Sequence, residues 1–111
     1  MFEDDEVRLR HILDAAHEAI SFTEDGRRED LGSDRKLSLS LVRLLEIIGE
    51  AARGFTADFR KEHSELPWKS MVGMRDRLIH GYFDVNLDIV WETVTKDLPP
   101  LVDKIEKIVA G

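Results

Sequence analysis

Between Leu37 and Phe55 the apolar side chains fall at three- and four-residue steps: Leu37, Leu41, Leu44, Leu45, Ile48, Ala51, Ala52 and Phe55. That spacing gathers them on one face of an α-helix and scatters them over both faces of a strand. Leu39, Val42 and Ile47 widen the apolar surface beyond a single stripe. A helix apolar over so much of its circumference belongs at the centre of a bundle or in an interface between copies.

The rest of the chain repeats the pattern. Val7, Ile12, Leu13, Ala16, Ala19, Ile20 and Thr23 predict a first amphipathic helix of about twenty residues. Gly26 and Arg27-Arg28-Glu29-Asp30 interrupt it, and Ser33 or Asp34 caps the second helix, which Gly54 ends. Thr56 to Arg60 reads as a short helical turn. Pro67 suits the first position of a helix from about Trp68 to His80, which carries Trp68, Met71, Val72, Arg75, Leu78 and Ile79 at helical spacing and stops at Gly81. Asn86 caps a further segment bearing Leu87, Val90, Trp91 and Val94. Pro99-Pro100 predicts a break, followed by a terminal helix with Leu101, Val102, Ile105, Ile108 and Val109. No strand alternation, internal repeat or low-complexity segment is visible. The expected fold is all-α, a compact helical bundle of one domain spanning residues 1–111.

Composition narrows the function. Cysteine is absent, which excludes disulfides and thiolate metal sites. No apolar run approaches the ~18 residues of a spanning helix, and the acidic Met1-Phe2-Glu3-Asp4-Asp5-Glu6 is unlike a secretory signal, so a cytoplasmic location is expected. The net charge of −7 argues against a dedicated non-specific nucleic-acid binder. Its distribution is uneven. Arg53 to Tyr82 holds six Lys/Arg and four Asp/Glu, a balance of +2, while the remainder holds ten and nineteen, a balance of −9.

Inside that less acidic third lies Met74-Arg75-Asp76-Arg77-Leu78-Ile79-His80-Gly81-Tyr82. Arg75 offers a permanently charged planar fork that matches a phosphate. His80 can give and take protons near neutral pH. Together they meet the two needs of phosphodiester cleavage without a metal, charge stabilisation and general acid–base catalysis. On one continuous helix, five residues separate them by about 140° and about 7.5 Å of rise, a poor reach within one chain that a two-fold dimer would remedy. Asp76, four residues before His80, would be its helix neighbour and could orient the imidazole, or form an ordinary surface pair. Arg77 points elsewhere and is either a contact to substrate backbone or a surface or interface charge. Tyr82 follows Gly81 and should sit exposed on a loop. Glu46 and Glu50, one turn apart, are read as structural, with Glu50 a candidate partner for a motif arginine. His11 and His17, six apart, do not share a face, and no His-Glu-x-x-His or glycine-rich phosphate loop is present, so no metal or cofactor is expected. Trp68 and Trp91 read as core.

Arg75-x4-His80-x-Tyr82 resembles the active motif of HepT, the toxin of HepT/MntA toxin–antitoxin systems and a member of the HEPN superfamily of small helical proteins. Leu45-Glu46-Ile47-Ile48-Gly49-Glu50-Ala51-Ala52, Leu66-Pro67-Trp68 and Asp88-Ile89-Val90-Trp91 resemble further segments of that family in the same order, from about residue 7 onward. The resemblance implies a HEPN-type bundle that dimerises, an RNA substrate rather than DNA, no membrane partner, and a site made of Arg75 and His80. It also implies a cognate MntA-type nucleotidyltransferase antitoxin that adds AMP to Tyr82. The alternatives are a non-catalytic partner that docks on a nucleotidyltransferase and uses the motif to bind nucleotide, and a purely structural helical dimer.

Overall fold

The computed structural model describes residues 3–81 and 84–111. Helix α1 (Glu3–Thr23) packs along α3 (Arg35–Arg53), and the C-terminal helix α8 (Leu98–Ala110) closes over α1. The small residues Ala15, Ala16 and Ala19 are buried on α1 and let the backbones approach. Leu9 and Ile12 meet Leu41, Leu45, Ile48 and Ala52 of α3 and Leu98, Leu101, Val102 and Ile105 of α8 in one core. Each fully buried Leu or Ile contributes about 1.5–3 kcal/mol. Helix α3 is the central element the spacing predicts. Of the three residues that widen its apolar surface, Val42 is buried, Ile47 is half-buried, and Leu39 remains 53% exposed.

Local chemistry sets the helix ends. Asp34 caps α3 by accepting from the Leu37 N–H, and Gly54 follows its last turn. A short α2 (Asp30–Ser33), absent from the sequence reading, precedes that cap. Thr56 caps α4 (Ala57–Glu62), with its hydroxyl accepting from Phe59 N–H at 3.2 Å. The same threonine is held by Asp5, which is 1% exposed and accepts from both Thr56 N–H (3.0 Å) and Thr56 O–H (2.7 Å). Phe55, Phe59 and the half-buried Trp68 form an aromatic cluster beneath α4, and the Trp68 indole donates to His63 O at 2.9 Å.

Two sequence expectations require correction. The helix expected from Trp68 to His80 is divided and shorter. Helix α5 (Trp68–Val72) ends at Gly73, and α6 (Met74–Leu78) ends before Ile79, which turns extended. Ile79–His80 (β1) then pairs antiparallel with Asp84–Val85 (β2), so a small hairpin stands where helix was expected. Its base is closed by Asn86 N–H donating to Leu78 O at 2.8 Å. Second, Pro99-Pro100 does not break the chain. Helix α7 (Leu87–Glu92), capped by Asn86 as expected, runs through a π-helical turn (Thr93–Asp97) directly into α8. Leu98 N–H reaches back five residues to Thr93 O, and the prolines occupy the first turn of α8, where their missing N–H groups are tolerated.

Candidate active site

Arg75 is presented by α6, and its position is set by the contact of α5 and α6 with α3. Gly49 makes that contact close: a Cβ there would lie 2.9 Å from Met71 O and 3.3 Å from Met74 Cβ. The exposed Arg75 therefore stands against α3, in a cleft of about 90 Å³ lined by Glu46, Gly49, Glu50, Arg53, Val72 and Arg75 itself. Arg53 Nη2 donates to Val72 O at 3.3 Å across this cleft. Glu50, instead of binding a motif arginine, is met by Arg43 at 3.4 Å.

His80 is exposed on β1, beyond the end of α6. The helical angle and rise expected between Arg75 and His80 therefore do not apply, because the backbone extends after Leu78. The i,i+4 neighbourhood expected of Asp76 and His80 is lost for the same reason. In the strand register His80 lies opposite Asp84, and cross-strand partners of this kind bring their Cβ atoms to about 4.5–5.5 Å. Asp84 is a residue the sequence reading missed; a hairpin pairing across Gly81 was the signal that would have revealed it. Gly81, at φ +72°, takes the left-handed conformation that turns the chain after His80. Tyr82, the expected modification acceptor, lies outside the described residues.

Arg77 faces away from the Arg75 cleft. It lines a separate cavity of about 270 Å³ between α5–α6 and the start of α8, where it approaches Asp97 at 3.8 Å. Among the described residues no three His, Asp or Glu side chains cluster in a way that could hold a metal ion. No described helix is long and apolar enough to cross a membrane.

The helical bundle thus carries Arg75 at a helix–helix cleft and His80 on the adjoining hairpin. Residues 12–108 match the family described as Ribonuclease HepT-like. The chain belongs to this family. A candidate RNase of Caldanaerobacter subterraneus subsp. tengcongensis is 44% identical over 100 residues, covering 90% of this chain and 89% of that protein. The "Probable ribonuclease HepT" of Thermococcus cleftensis is 42% identical over 100 residues, covering 90% and 91%. A candidate RNase of Methanocaldococcus jannaschii is 37% identical over 101 residues, covering 91% and 84%. No solved structure matches the chain significantly. Family membership agrees with the resemblance read from the motif segments, and the all-α bundle agrees with the fold it implied.

Proposed function

We propose that this protein is a cytoplasmic, metal-independent endoribonuclease toxin, one domain over residues 1–111, held in check by AMP transfer to Tyr82 from a cognate MntA-type nucleotidyltransferase antitoxin. The observation that carries the reading is the intact Arg75-x4-His80-x-Tyr82 motif in a chain of the HepT-like ribonuclease family, with Arg75 and His80 both exposed.

The reaction is attack of an RNA 2′-oxygen on its own phosphorus. The O2′–P bond forms, the P–O5′ bond breaks, and a 2′,3′-cyclic phosphate and a free 5′-hydroxyl result. His80 takes the proton from the 2′-hydroxyl or gives one to the departing 5′-oxygen. Arg75 neutralises the charge that develops on the phosphorane-like transition state. Asp76 has no orienting role once the helix ends at Leu78, and Arg77, which lines the separate cavity beside Asp97, is a surface charge. Silencing follows from the attack of the Tyr82 hydroxyl oxygen on the α-phosphorus of ATP. Pyrophosphate leaves, the phenolic proton is lost, and the new phosphodiester brings about one negative charge two residues from His80. That charge competes with RNA for Arg75.

The active species is a homodimer. Exposed Val7 (44%), Phe22 (41%) and Leu39 (53%) supply apolar surface for an interface. The reach argument from a continuous motif helix no longer contributes, since the hairpin repositions His80.

The test is co-expression. The chain alone should arrest growth, His80→Ala should not, and the nucleotidyltransferase should restore growth. Intact-mass spectrometry should show AMP on the wild type and none on Tyr82→Phe. AMP that persists on Tyr82→Phe places the acceptor elsewhere.

A further inference from the structure

The cleft that receives Arg75 contains a second arginine outside the motif. Arg53 lies at the C-terminal end of α3, and its backbone is fixed from outside: Arg60 Nη2 donates to Ala52 O at 2.9 Å and to Arg53 O at 3.3 Å. The Arg53 side chain donates to Val72 O at 3.3 Å, on the last residue of α5 and three residues before Arg75. A guanidinium carries five N–H donors, so this tie leaves donors for a ligand. The two arginines thus line one cleft from different helices.

Size and charge define what the cleft takes. At about 90 Å³ it is far below the ~300 Å³ of the smallest ordinary small-molecule pockets, so it accepts one compact group and no nucleobase. The lining sets Arg53 and Arg75 against Glu46 and Glu50, 2 − 2 = 0, on a chain whose total is −7, and Glu50 is already met by Arg43 at 3.4 Å. The glutamates weaken any anion's hold, which keeps the contribution of the cleft moderate.

We propose that Arg53 and Arg75 together hold one backbone phosphate of the RNA in the cleft between α3 and α5–α6, making Arg53 a substrate-binding residue. This rests on the ribonuclease reading. A fork-shaped cation placed by the end of α3 fixes the register of the RNA strand relative to His80.

The probe is a 2′-O-methyl oligouridine, which has no attacking 2′-hydroxyl and reports binding alone. Its dissociation constant is measured by anisotropy across a potassium chloride series. Arg53→Gln keeps a donor for Val72 O and removes the charge. It should bind about tenfold more weakly and lower the log–log salt slope by about 0.7, the value of one lost phosphate contact on a single strand. Arg53→Lys should keep the wild-type slope. Lys107→Ala, an exposed charge on α8 outside this cleft, should change neither quantity. Wild-type affinity and slope in Arg53→Gln would overturn the proposal, as would the same losses in Lys107→Ala. Weakened binding with an unchanged slope would also overturn it, because that is the signature of a structural tie. Cleavage of unmodified RNA by the wild type separates the two levels. If RNA is cut while Arg53→Gln keeps its slope, the phosphate subsite alone falls. If RNA is neither cut nor bound, the ribonuclease reading falls and takes the subsite with it.

Discussion

Two single residues fix how helices meet, and neither role was legible in the sequence. Gly49 read only as an isolated glycine, because the helix that would crowd its Cβ comes from more than twenty positions away. With backbone and Cβ atoms of α5–α6 at 2.9 and 3.3 Å, Gly49→Ala forces the helices apart. The expected cost is about 1–3 kcal/mol by overpacking, read as a shift in the denaturant midpoint. Activity should fall as well, since Arg75 moves with α6. A midpoint and activity equal to wild type would mean that the contact is not close. Asp5 read as one charge in an acidic terminus. Its burial and its two bonds to Thr56 are tertiary facts, made when α1 crosses the start of α4. The roles proposed for Arg75 and His80 come from residue type and motif, and both side chains are exposed. The packing of Trp68 against the core was legible, because its neighbours Phe55 and Phe59 are apolar at helical spacing.

At the scale of the element, signals confined to a few residues were readable. Asp34 and Asn86 cap the helices they were expected to cap, and Gly54 stops α3, because a cap bonds to its own next turn. The hairpin was not readable. Apolar spacing from Trp68 to Ile79 fits one helix, and what ends that helix is pairing with Asp84–Val85, reached only after the chain turns. Pro99-Pro100 misled in the opposite direction, since a π-helical turn admits them without a break. The hairpin gives a sharp prediction at Gly81. No atom of the described residues lies within 4 Å of a Cβ added at Gly81, and the +72° φ opposes Gly81→Ala with a strain of about 1–2 kcal/mol. Because the strain falls beside His80, RNA cleavage should drop more than global stability does. Paired activity and melting measurements check this, and equal activity would show that the turn does not position the imidazole.

For the whole molecule, the net charge of −7 requires that any hold on RNA be local, and the uneven charge along the chain agrees with a site near Arg53 and Arg75. Dimerisation belongs to this scale too. Light scattering at micromolar concentration should give twice the 12.8 kDa of the chain, and a mass of one chain would remove the dimer from the account. The central claim is that Arg75 and His80 cut RNA without a metal. Its most direct test is the rate at which purified protein cleaves total RNA in the presence of a chelator, compared with His80→Ala and Arg75→Ala variants of unchanged circular dichroism. The account predicts full wild-type cleavage with chelator and a loss of about 10²–10⁴ in either variant. Cleavage abolished by the chelator, or retained in both variants, would contradict it.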